Sequence, residues 1–248
     1  MMFLLAHAQQ ELGRAKMENN SKNYALYLDS YPEELTIDVP ADSSYRLNIA
    51  CFDKIQTKSK ITINLHEGAS LIGAMADFTG ETCSLNLVIN LLGEGSSVEW
   101  HLAALSFKNA KKIYETSVNH IGKHTEALMS NYGIARESSK ITFTGTSSIL
   151  NGAEKAKTRQ EAKIIVFDPE ADGLASPFLK ISDNDVVASH AAIVGKLNEE
   201  HLFYLESRGL SEEEAKRLIA LGYLKPVENY FIDDEVIKRI DSIIEGGI

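Results

Sequence analysis

Residues 85–102 read LNLVINLLGEGSSVEWHL. Leu85, Leu87, Ile89 and Leu91 take every second position, Gly95-Ser96-Ser97 turns the chain, and Val98, Trp100 and Leu102 resume the alternation. Side chains two apart share one face of an extended chain, so this pattern describes two strands joined by a tight turn. The same grammar recurs on both sides. Upstream stand Ile61, Ile63 and Leu65 before Gly68-Ala69-Ser70; downstream come Gly122-Lys123-His124 and then Ile141 and Phe143. Gly68, Gly95 and Gly122 are spaced 27 residues apart, and Gly145 follows after 23. A quasi-period of this size suits the coils of a β-solenoid, each contributing two or three short strands whose inward side chains stack on those of neighbouring coils. A β-sandwich with a strand about every 8–12 residues leaves a similar trace and is the alternative.

The five prolines, Pro32, Pro40, Pro169, Pro177 and Pro226, leave residues 41–168 without one, as the interior of a long sheet requires. After Gly195 the texture becomes helical. Asn198 is placed to cap a helix through Glu199, Glu200, Phe203, Tyr204 and Leu205, with Arg208-Gly209 closing it. Ser211-Glu212-Glu213-Glu214 is a capping box ahead of Ala215, Leu218, Ile219 and Leu221, a helix ended by Gly222 and Pro226. A third helix is expected from Asp233 to Ile244. The organisation expected is an N-terminal helix and lead-in strand (1–40), a β core (41–195) and a C-terminal helical subdomain (196–248).

The chain has 248 residues, 44% hydrophobic and 24% charged, which is a globular balance. Its net charge is -10, half of it carried by the last 53 residues, and this field disfavours nucleic acid as a partner. Met1 to Ala8 is apolar but has no basic flank and no small-residue cleavage site, so a short helix running on through Leu12 and Ala15 is expected in place of a signal peptide. No stretch reaches the roughly 18–20 apolar residues of a spanning helix, and no membrane role is expected. Two cysteines, Cys51 and Cys83, make neither a zinc knuckle nor a disulfide framework and fit a reducing cytoplasm.

Chemistry-bearing motifs are sparse. There is no phosphate loop, no G-x-G-x-x-G between strand and helix, and no G-x-S-x-G elbow, so ATP, dinucleotide and hydrolase chemistry have no anchor. His120 and His124 have metal-ligand spacing for a helix, but Gly122 and the alternation of Tyr114, Thr116 and Val118 place them on a strand and its turn. Asp183-Asn184-Asp185 resembles the start of a calcium loop, yet Ala188 stands where the essential glycine would be. His190 lies among small residues where a strand hands over to the helices; the bland reading is a loop-bonded histidine.

The stretch from Ser189-His190 through Gly195, Phe203-Tyr204 and Arg208-Gly209 to Ala215 resembles the C-terminal signature of the SufB/SufD family, scaffold proteins of the SUF iron–sulfur cluster assembly system. Asn119-His120, Thr144-Gly145, Lys155 to Gln160 and Pro177 before Leu179-Lys180-Ile181 extend the resemblance over most of residues 45–227. The resemblance implies a mainly β fold, a right-handed parallel β-helix with a C-terminal helical subdomain, and a non-enzymatic scaffold role. The partners it implies are a SufC-type ABC ATPase docked on Phe203, Tyr204, Arg208 and Gly209, with Ala215 and Leu218 behind them, and a SufB-type subunit or a second copy paired along the β-helix. His190 matches a histidine that SufD-type relatives place at the subunit interface, so it is the candidate cluster ligand; any cluster is transient and shared, since two cysteines cannot build a Cys₄ site. The N-terminal helical domain of longer relatives is missing or reduced to residues 1–18. Ala188 replaces a cysteine found in some SufD-type relatives, and no cysteine stands near Ala175, so a SufD-like accessory role is expected. Two other functions compete with this one. A β-helix carbohydrate-active enzyme needs a row of Asp, Arg and Lys on one face, and a hexapeptide acyltransferase needs a six-residue repeat; neither is evident.

Overall fold

The computed structural model describes residues 16–20, 23–53 and 56–246. The N-terminal helix expected before residue 16 lies outside the described residues. The chain is mostly strand, wound as a parallel β-solenoid that gives two strands per coil. One sheet, A, contains Lys16–Asn20 (β1), Asn23–Leu28 (β2), Ser44–Cys51 (β4), Ser70–Asp77 (β6), Ser97–Ser106 (β8), Glu126–Ala135 (β10), Lys157–Val166 (β12) and Val187–Lys196 (β14), in that spatial order. The other, B, contains Glu34–Val39 (β3), Lys58–Leu65 (β5), Cys83–Leu91 (β7), Lys111–His120 (β9), Lys140–Ile149 (β11) and Asp172–Ile181 (β13). All neighbours are parallel except β1 and β2, which pair antiparallel at the N-terminal end. The solenoid reading therefore holds, and the sandwich alternative falls.

The coils stack through their corners. Asp42, Gly68, Gly95, His124 and Lys155 each adopt positive φ, between 53° and 69°, and each donates its N–H to the carbonyl of the next coil's corner at 2.7–2.9 Å. These equivalent residues are 26, 27, 29 and 31 apart, so the coil lengthens along the chain as its strands grow from 8 to 10 residues. Gly122 is thus not the third member of the series that begins with Gly68 and Gly95; His124 is. Gly122 instead lies over Gly93, where an added Cβ would stand 2.4 Å from the Gly93 carbonyl oxygen.

Inward residues of both sheets, among them Leu47, Ile63, Leu87, Trp100 and Phe143, form one continuous core. A second core lies outside the solenoid. The outward side of sheet A carries alanines (Ala50, Ala74, Ala76 and Ala103), and these small residues let helices approach closely. Against them pack Glu212–Leu224 (α2), a 3₁₀ turn at Lys225–Tyr230 and Asp234–Gly246 (α3), through Ala220, Leu224, Val227, Phe231, Val236, Ile240 and Ile244. Asn48 fastens this layer from both sides, donating to the Tyr230 carbonyl at 3.0 Å and accepting from the Ile232 N–H at 3.1 Å. The His101 ring stacks on Tyr230 with centroids 3.5 Å apart. The expected capping box at Ser211 and Glu214 is present. Gly222 does not end α2, which continues to Leu224; Pro226 then takes the second position of the 3₁₀ turn, where its missing N–H costs nothing.

Candidate functional site

The last coil leaves the solenoid open. Among the described residues β14 pairs only with β12, and β13 only with β11. Val187 N and Leu197 N bond to the Ala156 and Val166 carbonyls at the two ends of β12, so the odd-numbered residues of β14 serve the sheet, and Ala188, His190, Ala192, Val194 and Lys196 turn their backbone groups to the free edge. On β13 the phase is opposite, and Pro177 falls on the free side, the place where an absent donor is tolerated. Leu174, Phe178, Val187, Ile193 and Val194 are all exposed here, Val187 at 64%. The β14 edge, with neither proline nor a charged residue at its centre, lacks the usual protection against pairing with another chain.

His190 stands in register with Gln160, one coil further out on the core-facing side. Gln160 is buried, donating to Ser147 Oγ at 2.6 Å and the Phe178 carbonyl at 3.1 Å. Among the described residues no further coil covers His190, and the imidazole is exposed at the mouth of the solenoid. The other two candidate histidines diverge. His120 is fully buried, with Nδ1 2.8 Å from Thr125 Oγ1, and burial pushes its pKa down to about 4, so it is neutral at pH 7. His124 sits in the turn, 3.9 Å from a Glu94 oxygen. Asp183 and Asp185 occupy the corner between β13 and β14, where Asp183 accepts from the N–H groups of Gly152 and Asp185, and Asp185 pairs with Lys155 at 2.7 Å. No group of three or more His, Cys, Asp or Glu side chains is arranged for a metal among the described residues.

The second candidate surface is helical. Glu199–Ser207 (α1) is capped by Asn198, whose side chain accepts from the N–H groups of Glu200 and His201, and closed by Arg208 with Gly209 at φ 96°. No residue of α1 is buried, although it carries Phe203 at 72% and Tyr204 at 55% exposure. The Arg208 guanidinium lies over the Tyr204 ring, 5.1 Å from its centroid. Leu218 is also exposed on α2, whereas Ala215 is fully buried.

The two cysteines lie elsewhere, beside a buried ion pair that motif reading did not find. Lys112 Nζ contacts Asp77 Oδ1 at 2.5 Å, and both side chains are fully buried. Tyr31 and Tyr114 hydroxyls donate to Asp77 Oδ2 at 3.0 and 2.6 Å, Thr79 donates to Oδ1 through N–H and Oγ1, and Lys112 also reaches the Leu105 carbonyl. Burial opposes ionisation of Asp77, but Lys112 and these donors overcome it and hold the carboxyl below its ordinary range. Burial, reinforced by the Asp77 charge, pushes the Cys83 thiol up to about 12 and Cys51 well above its usual value. Both thiols therefore stay protonated at neutral pH, when a ligand to iron would have to be a thiolate. One signal for the cluster existed in the sequence: Lys112 shares the alternation phase of Tyr114, Thr116 and Val118, which places a lysine on the core face.

Residues 52–223 match the family model described as SUF system FeS cluster assembly, SufBD core domain. The chain belongs to the SufB/SufD family. Its solenoid from β5 onward, its open last coil and α1 all fall in the matched span. It is 36% identical over 177 residues to the iron–sulfur cluster assembly protein SufD of Bacillus subtilis, covering 71% of this chain and 40% of that relative. To SufB of the same organism it is 30% identical over 136 residues, 55% of this chain and 29% of that relative. A SufBD family protein of Staphylococcus saprophyticus is 28% identical over a stretch of the same length, again 29% of that relative. The chain therefore spans well under half the length of these SufB/SufD relatives. No helix among the described residues is long and apolar enough to cross a membrane.

Proposed function

We propose that this chain is a non-enzymatic, SufD-like scaffold subunit of iron–sulfur cluster assembly, working in the cytoplasm, that docks a SufC-type ABC ATPase on α1 and α2 and pairs with a SufB-type subunit or a second copy along β14. The observation that carries it is α1, a helix of a SufB/SufD-family chain that buries none of its own residues yet displays Phe203 and Tyr204 to solvent. Aromatic residues beside an arginine are the usual anchors of protein interfaces. In this reading the cluster is cargo, held between subunits with His190 as this chain's ligand at the open mouth.

Co-purification with the SufC-type ATPase of the same organism tests the docking. Wild type is expected to co-elute, and Tyr204→Ala or Arg208→Ala to weaken binding about tenfold or more, as for interface anchors. A folded wild-type chain that does not associate overturns the docking.

Pairing has its own test. Ala192 turns its N–H to the free edge, so Ala192→Pro removes a donor from that edge and none from the ladder with β12. Sedimentation analysis, of the chain alone and with the SufB-type subunit, is expected to show about tenfold weaker association for Ala192→Pro, the cost of roughly one interfacial hydrogen bond. Unchanged association would remove β14 from the interface.

A further inference from the structure

The junction between the 3₁₀ turn and α3 gathers three carboxyl groups around one lysine. Lys225 Nζ pairs with Asp241 Oδ1 and lies 3.8 Å from Glu228 Oε2. The Asp241 and Glu228 carboxyls thus converge on one ammonium, and Glu245 adds a third negative charge one turn further along α3. Glu228 is 8% exposed, and its Oε1 is buried with no partner. Every member of this group lies beyond residue 223, outside the span that matches the family model.

Charge counting decides how such a group behaves. With all three carboxyls ionised, one ammonium faces three negative charges, and a buried oxygen of Glu228 is left without a donor. With one proton retained on Glu228, the lysine balances Asp241 and only the charge of Glu245 is left in excess. On the opposite flank of the 3₁₀ turn, β6 presents no charged side chain outward, and β8 presents Glu99 and His101, which are engaged with each other at 2.8 Å and with Tyr230. On α2, Lys216 is taken up by Glu212 and Glu213, and the Arg217 charge acts on Glu214. The proton therefore decides the balance at this junction.

We propose that this junction is a proton-operated clasp: a proton held on buried Glu228, beside Asp241 on the same lysine, keeps α3 against the 3₁₀ turn, and its release to water loosens the helix through repulsion among Glu228, Asp241 and Glu245. Burial and the two neighbouring carboxylates, partly offset by Lys225, raise the Glu228 pKa to about 7, which puts the release near neutral pH. The sign follows from linkage. A carboxyl whose folded pKa exceeds its ordinary value binds the proton more tightly when closed, so clasp stability falls as pH rises from the ordinary carboxyl range to about 7, and levels off above it. The buried apolar side of α3 (Val236, Ile240 and Ile244) and the Arg239–Asp53 pair at 2.6 Å keep the rest of the helix anchored, so the opening is local.

Hydrogen exchange of the full chain, read by mass spectrometry on the peptides of α3 and corrected for intrinsic rates, tests this. From pH 6 to pH 8 the opening equilibrium of wild-type α3 is expected to rise about tenfold, while that of the solenoid core stays constant. Glu228→Gln cannot lose the proton and is expected to vary less than about twofold over the same range. Asp241→Asn removes the partner carboxylate and is expected to move the transition below pH 6; it serves as the second variant if Glu228→Gln does not fold. Wild-type α3 with no pH dependence, or either folded variant keeping the wild-type transition near pH 7, overturns the clasp.

Discussion

Lys112→Met is expected to destabilise the solenoid by about 3–5 kcal/mol, because it strands a fully buried Asp77 without its counter-charge. In a chain of this size that corresponds to a fall of about 10 °C in melting temperature. The loss is one of geometry as well as charge. Asp77 gathers β6 with Tyr31, Thr79 and, across the core, Tyr114, so a carboxylate forced to protonate loses acceptor capacity toward several donors at once. Denaturant unfolding at pH 7, with wild type and Lys112→Met compared at equal slope, measures it. The double variant Lys112→Met/Asp77→Asn should be more stable than Lys112→Met alone, since the amide removes the unpaired charge and still accepts from the tyrosines. Wild type and Lys112→Met should also respond oppositely to acid. In wild type the folded carboxyl lies below its ordinary range, so its stabilisation is present at neutral pH and is lost as pH falls through the folded value. In Lys112→Met burial is opposed only by the hydroxyl and amide donors, so that carboxyl rises and mild acid becomes stabilising. A melting temperature within about 2 °C of wild type would show that the pair contributes nothing net.

Gly93→Ala is expected to cost about 3 kcal/mol, near the upper end for overpacking. An added Cβ would stand 2.0 Å from Glu67 N and 2.4 Å from Glu67 Cα and His66 C. These are backbone atoms of the adjacent coil, so no rotamer change relieves the collision, and the coils must part at that corner. Gly95→Ala, two residues on, makes the comparison. Its Cβ would meet nothing within 4 Å, but φ is 69°, so the expected cost is only the left-handed penalty of about 1 kcal/mol. Unfolding midpoints of the two variants separate stacking from conformation. Equal losses would mean that coil contact at Gly93 is not limiting.

The stacking contact at Gly93 and the corner series explain why a 27-residue period was only partly legible. Gly68 and Gly95 announce their corners because glycine is the residue that takes positive φ freely, whereas Asp42, His124 and Lys155 take the same conformation without a compositional mark. Gly122, which looks like the next in the series, serves close approach of coils instead. Lengthening coils therefore read as a noisy repeat until the hydrogen bonds between corners show which residues are equivalent.

Local signals carried the rest of the readable content. Period-two alternation determined that Leu85 to Leu91 and Val98 to Leu102 are strands, and which side chains face inward, because the pleat allows nothing else. The capping residues Asn198 and Ser211 determined where α1 and α2 begin, because an oxygen at that position satisfies donors the helix cannot. The run from His190 to Ala215 determined the family resemblance that the family match then bore out.

What only the tertiary structure decided are relations between residues far apart in the chain. Alternation puts Lys112 on the core face but cannot name Asp77, 35 residues away, as its partner. The alanines at 50, 74, 76 and 103 become a helix seat only when parallel register aligns them on one side of sheet A. Exposure of β14 depends on there being no further coil beyond it among the described residues, a property of the stack that the strand's own composition does not contain. Glu228 reads as one more acidic residue in an acidic segment; the fold buries it beside Asp241 and Glu245 with one lysine to share, and that burial and the neighbouring charges raise its pKa to about 7.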